Sequence, residues 1–176
     1  MKRIETVKLF LALAALASLG ACAAADRSFE EPSYYVMRHL QKADGSDPGL
    51  TEAGRRNAAY LPAMPAFSRS PPRAIYASAT RRARETAQPA ADRFGIPIRD
   101  YDPRDTPALI ARVKKERGPV LIVGHSNTVP AIVEALGGGS IGPLGEDDYG
   151  MLYTLYPGKS FAARSLVDPE APTHVD

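Results

Sequence analysis

The chain has 176 residues, 44% of them hydrophobic and 24% charged, with a formal net charge of +2. That length suits one domain with a real core, and the apolar share excludes wholesale disorder. The small charge, with no basic run interleaved with aromatics, argues against a nucleic-acid partner.

Residues 1–21 read as an export signal. Lys2, Arg3 and Lys8 form a positive amino region, and Leu9 to Leu19 form an apolar stretch too short to span a bilayer comfortably. Leu19-Gly20-Ala21-Cys22 then resembles a bacterial lipoprotein box, in which the cysteine becomes the lipidated first residue. Cys22 is the single cysteine of the chain, so no internal disulfide can form. On this reading residues 22–32 are a tether, 33–168 the folded domain and 169–176 a loose tail. Several acyl chains make a stable anchor, each buried methylene contributing about 0.8 kcal/mol. The membrane is then a partner, and the domain faces the periplasm or the cell exterior. The alternative is ordinary cleavage within Ala21-Cys22-Ala23-Ala24-Ala25, which releases a soluble periplasmic protein. Without residues 1–21 the chain carries 19 basic and 19 acidic residues and is formally neutral.

The first predicted strand covers 33–38, and a polar loop with Gly45, Pro48 and Gly49 follows. Thr51 can cap a helix that runs to about Leu61, where Pro62 and Pro65 end it. Residues 62–72 read as a Pro/Ser-rich connection. A second strand covers 73–78. A helix from about Thr80 to Phe94 closes on Gly95, and Pro89 should kink or split it. A short strand is expected at 96–99. Asp105-Thr106-Pro107 starts the next helix, with a capping residue followed by proline in the first turn. Gly118-Pro119 stops it. Val120 to Val123 is a continuous apolar run, as in a strand covered on both faces. Gly124 to Asn127 turns into a helix of about 128–136, which Gly137-Gly138-Gly139 ends. Residues 140–150 form an acidic loop. Strands at 151–156 and 160–167 form a hairpin around Pro157-Gly158. The tyrosines of 149–156 read as strand and core residues. Alternating strands and helices predict an α/β fold, a largely parallel central sheet in three α/β/α layers.

Three strand ends carry cations or potential cations: Arg38-His39, the Arg81-Arg82-Ala83-Arg84 helix start, and Gly124-His125-Ser126. Converging, they would make a pocket for a dianion, since arginine offers a planar charged fork and histidine a nitrogen that titrates near neutrality. Helix amino termini would reinforce it. No GxxxxGK[ST] P-loop is present.

The chain resembles the histidine phosphatase superfamily, in its phosphoglycerate-mutase-like branch. The resemblance rests on Arg38-His39 after the first strand, Leu50-Thr51-Glu52-Ala53-Gly54, Arg82-Ala83-Arg84-Glu85-Thr86-Ala87 and Val123-Gly124-His125-Ser126-Asn127. It covers about residues 33–156. It implies that His39 is the nucleophile and forms a phosphohistidine, and that Arg38, Arg82 and His125 hold phosphoryl oxygens. Ser126 and Lys42 are further substrate-binding candidates. It implies no metal and no other cofactor. The substrate is then a phosphorylated small molecule or protein, carrying a phosphomonoester or a phosphoramidate. Two departures stand out. Family members often have Gly or Ala after the Arg-His pair, whereas here Leu40-Gln41-Lys42 follows. The insert that carries a proton-donating glutamate in mutase-like members is absent, which favours a phosphatase over a mutase. Asp102 and Asp105 are the candidate general acids, although Asp105 is also placed to cap a helix and Asp102 to make a turn. Glu85 reads as a surface residue of its helix.

Other classes fit less well. His39, His125 and His174 have no short ligand spacing for zinc. Gly124-His125-Ser126-Asn127-Thr128 has threonine where a serine-hydrolase GxSxG needs its second glycine. The remaining alternative is a weakly active or inactive phosphatase-like lipoprotein that binds a phosphorylated ligand or an envelope partner.

Overall fold

A strand covered on both faces must be apolar on both faces, and three segments meet that demand. They are β1 (Tyr34–Arg38), β2 (Ala74–Ser78) and β4 (Val120–Gly124), the last two buried at every position. In the computed structural model, which describes residues 34–156, 158–160 and 162–168, these strands lie side by side. The predicted export segment, Cys22, the tether and the tail from residue 169 lie outside the described residues.

β3 (Ile98–Tyr101), β5 (Met151–Leu155) and β6 (Ala162–Leu166) complete a six-stranded sheet in the order β3-β2-β4-β1-β5-β6. The pairings β3–β2, β2–β4 and β4–β1 are parallel, and β1–β5 and β5–β6 are antiparallel. The sheet is therefore mixed, with a parallel centre and an antiparallel hairpin on one side. β3 begins two residues later than expected. Pro97 lacks the amide a ladder needs, so pairing starts at Ile98 against Ile75.

The period-two alternation of the strands divides the core. Tyr35, Met37, Ile75, Ala77, Leu121 and Val123 face one side and pack with α1 (Glu52–Tyr60), α2 (Pro65–Arg69) and α3 (Arg81–Phe94). Val36, Ala74, Tyr76, Val120 and Ile122 face the other and pack with α4 (Thr106–Val113) and α5 (Val129–Ala135). This is the three-layer α/β/α arrangement.

Helix boundaries follow local chemistry. Thr51 Oγ1 accepts from the Gly54 amide at 3.1 Å, and Asp105 Oδ1 from Ala108 at 3.0 Å. Gly95 closes α3 at φ 67, a left-handed cap that suits glycine. Two expectations are corrected. The expected connection 62–72 overlaps a 3₁₀ turn, Leu61–Ala63, and contains helix α2, because Pro62 and Pro65 fall in first turns, where proline is tolerated. Pro89 does not split α3, which runs unbroken for 14 residues. One lost backbone bond is outweighed there by a face of Ala83, Thr86, Ala87, Ala90 and Ala91 buried against the sheet.

Candidate active site

The register between β1 and β4 pairs Arg38 with Gly124. Parallel neighbours in that register bring the next residues, His39 and His125, out at the same level of the sheet's carboxyl edge. The His39 amide donates to the Gly124 carbonyl at 2.9 Å, which ties the two turns together. The imidazole rings meet edge to face, with centroids 5.3 Å apart. Both are buried, as is Arg38. β2 ends beside them, and the first turn of α3 carries Arg82 over the same edge.

The His39 ring is oriented from both nitrogens. Nδ1 lies 2.9 Å from the Leu40 carbonyl oxygen, which can only accept, so Nδ1 carries the proton. Nε2 then presents its lone pair, and Arg82 Nε donates to it at 3.1 Å. Burial pushes the His39 pKa down to about 3, with the charges of His125, Arg82 and Arg38 acting in the same direction and the Leu40 bond opposing. Burial, with Arg82 and Arg38, lowers His125 to about 4. Both rings are therefore neutral at pH 7. His125 Nε2 is 2.8 Å from Ser78 Oγ. Its backbone amide donates to Thr128 Oγ1 at 2.9 Å.

Arg38 is held by a loop. Its Nη1 donates to the carbonyls of Gly145 at 2.5 Å and Asp148 at 3.4 Å. Its Nη2 is 3.7 Å from the Glu146 carboxylate, and its guanidinium lies 4.1 Å from the centre of the Tyr149 ring. Arg38 Nε is buried and has no hydrogen-bond partner among the described residues. Arg82 Nη1 is 3.6 Å from Asp47. The two guanidinium groups and two neutral imidazoles thus converge on one spot. The carboxylates opposing them are both exposed and at long range.

Leu40 is fully buried in the core on the α1–α3 side, so the atypical residue after Arg-His is an anchor, worth about 1.5–3 kcal/mol of burial. Its amide donates to Thr86 Oγ1 at 3.0 Å, and Thr86 Oγ1 donates to the Arg82 carbonyl at 2.8 Å. One buried hydroxyl therefore links the His39 turn to the Arg82 turn. Glu85 is not a free surface residue: it accepts from the Leu50 amide at 2.7 Å and from Arg81 Nε at 2.6 Å, pinning the loop after His39 to α3. Gly54 has a steric reason, since a Cβ there would stand 2.3 Å from the Gln41 carbonyl oxygen.

The remaining candidates are placed less centrally. Ser126 is half-buried beside His125, and Lys42 is half-buried, with its backbone bridged to Leu50. Asp102 accepts from the amide, Nε and Nη2 of Arg104, at 2.9, 3.0 and 2.9 Å. Asp105 caps α4. Neither carboxylate bonds to His39, Arg38, Arg82 or His125 among the described residues. Tyr149 does not belong to the strand core as expected. It flanks the site, its ring 5.8 Å from that of His39. Ser78, Thr86, Thr128 and Tyr149 carried no signal as site residues, because their roles depend on contacts across the sheet edge. Among the described residues no group of three or more His, Cys, Asp or Glu could hold a metal ion.

The family model described as histidine phosphatase superfamily (branch 1) matches residues 35–104. A candidate phosphohistidine phosphatase, SixA, from Agrobacterium tumefaciens is 31% identical, with 58% of this chain and 75% of that one covered and a TM-score of 0.50. A mycobacterial glucosyl-3-phosphoglycerate phosphatase shares the fold at 16% identity, covering 76% and 96% of the two chains, with a TM-score of 0.59. A protein histidine phosphatase, SixA, complexed with tungstate does so at 17% identity, covering 75% and 93%, with a TM-score of 0.53. No curated protein matches the chain by sequence. The chain belongs to the histidine phosphatase superfamily, and it is a phosphatase of the histidine type.

Proposed function

We propose that this protein is an extracytoplasmic phosphatase that hydrolyses a phosphomonoester or a phosphoramidate through a phosphohistidine on His39. The observation that carries the reading is the Arg82–His39 contact: a neutral imidazole of fixed tautomer, its free nitrogen already facing a guanidinium. When a phosphoryl group enters, Arg82 turns from Nε2 to the phosphoryl oxygens and the lone pair is released toward phosphorus. Arg38 and His125 complete the set of donors, and Ser126 and Lys42 are further substrate-binding candidates. Phosphoryl transfer needs this positioning and charge neutralisation more than it needs covalent help. Similarity to the Agrobacterium protein supports a phosphoramidate such as phosphohistidine within the substrate class.

The location follows from the amino-terminal segment: a lipidated Cys22 would hold the domain at the membrane, facing away from the cytoplasm. Fractionation tests it, with Cys22→Ser expected to move the protein from membrane to soluble fractions. Equal distribution of both forms would remove the anchor from the account. The activity is tested by turnover of an aryl phosphate and of phosphohistidine in excess chelator, with turnover expected on at least one. Phosphate binding without turnover of either would instead indicate a phosphate-binding lipoprotein.

A further inference from the structure

An ester leaving group needs a proton, and several carboxylates are committed elsewhere. Asp102 holds Arg104, Asp105 caps α4, and Glu85 holds the Leu50 amide. Asp47, 3.6 Å from Arg82 Nη1, is held by the Arg81 backbone amide at 3.1 Å. Glu146 differs. It is 83% exposed, and among the described residues its carboxylate meets Arg38 Nη2 at 3.7 Å and no backbone amide. Its backbone, by contrast, is fixed. Asp148 Oδ2 accepts from the Gly145 amide at 2.6 Å, and the carbonyls on either side of Glu146 and Asp147 dock on buried Arg38. A firmly seated loop thus presents, beside Arg38, a carboxylate that no backbone amide holds among the described residues.

We infer that Glu146 is the proton donor to the leaving group. The inference rests on the phosphohistidine reading above. In the first half-reaction the His39 Nε2 lone pair forms the N–P bond and the P–O bond breaks. As Arg38 turns from Glu146 to the phosphoryl oxygens, the Glu146 carboxylate takes a proton from solvent, and the departing oxygen keeps the bonding pair and takes that proton. In the second, water attacks phosphorus and gives a proton to the Glu146 carboxylate. The N–P bond breaks with its pair returning to Nε2, and inorganic phosphate leaves.

The test compares leaving groups. Glu146→Gln in the full chain should lower kcat about 100-fold or more on an alkyl phosphate, whose alkoxide needs the proton. On p-nitrophenyl phosphate, whose leaving group is stable as an anion, the loss should be under about 10-fold. Asp147→Asn, in the same exposed stretch, should leave both rates unchanged. Equal losses on the two substrates, or no loss on either, overturn the assignment. A Glu146→Gln enzyme with lower KM and undiminished kcat also overturns it, since Glu146 would then only occupy Arg38 in competition with phosphate. Acid-quenched phosphohistidine separates the two levels. If it forms on His39 in wild type and in Glu146→Gln without a leaving-group effect, only this inference fails. If it forms in neither, the underlying mechanism fails.

Discussion

Arg82 Nε points at His39 Nε2 from 3.1 Å, so the residue that should hold the phosphoryl oxygens also guards the nucleophile before substrate arrives. The contact exists because β1 and α3 are locked together at Leu40 and Thr86. The first prediction concerns that lock. Thr86→Val keeps the shape and removes both bonds, leaving the buried Leu40 amide unpaired. The cost should be about 1–3 kcal/mol, read as a lower denaturation midpoint. The rate should fall with it, and Thr86→Ser should recover much of both. Wild-type rate and stability in Thr86→Val would show that the hydroxyl does not position His39.

Gly54 gives a prediction whose sign is set by competition. Alanine is the better helix former by roughly 0.8–1 kcal/mol. Its Cβ would stand 2.3 Å from the Gln41 carbonyl oxygen, however, and that backbone leads directly from His39. Overpacking against backbone should win, with Gly54→Ala destabilised by about 1–3 kcal/mol in chemical denaturation. A stabilised variant would show that the loop gives way freely.

Acid should unfold the protein through its histidines. The folded pKa of His39 is about 3 and that of His125 about 4, both below the ordinary 6.5. Between those values the unfolded chain binds protons that the folded chain refuses, so stability is fully present above about 6.5 and declines as pH falls. Denaturation midpoints from pH 7 down to pH 4.5 should decline, and less steeply in His39→Asn. Nuclear magnetic resonance of the two imidazoles should show no titration near 6.5. A ring that protonates there would remove the claim that the nucleophile is neutral by construction.

Tyr149 stacks on Arg38 and walls one side of His39. Tyr149→Phe keeps the ring and should behave as wild type. Tyr149→Ala should raise KM about 2- to 30-fold, the range of a cation–π contact. Equal KM in all three proteins would leave the stacking without a role.

Much of the fold was legible in the chain because its signals are local. The run Val120–Val123 reads as a strand buried on both faces, and Thr51, Asp105 and Gly95 mark helix ends by their own chemistry. The four motifs stood in order, so the turns at Arg38, Arg82 and His125 could be placed at strand ends. What stayed hidden depends on contacts across the sheet. Leu40 looked like a flaw in the motif and is a core anchor. Glu85 looked exposed and is a strut. Tyr149 and Glu146 lie more than one hundred residues from Arg38 in sequence, in a loop whose composition signals only acidity. Asp102 and Asp105, the acids the sequence offers, are occupied by Arg104 and by the start of α4.

The central claim is that phosphorus becomes bonded to His39 Nε2. Brief reaction of the full chain with a ³²P-labelled phosphoryl donor, followed by denaturing quench, tests it directly. The account predicts acid-labile, base-stable label on the wild-type chain and none on His39→Ala. Label of the same stability persisting on His39→Ala would contradict it and move the nucleophile to another residue.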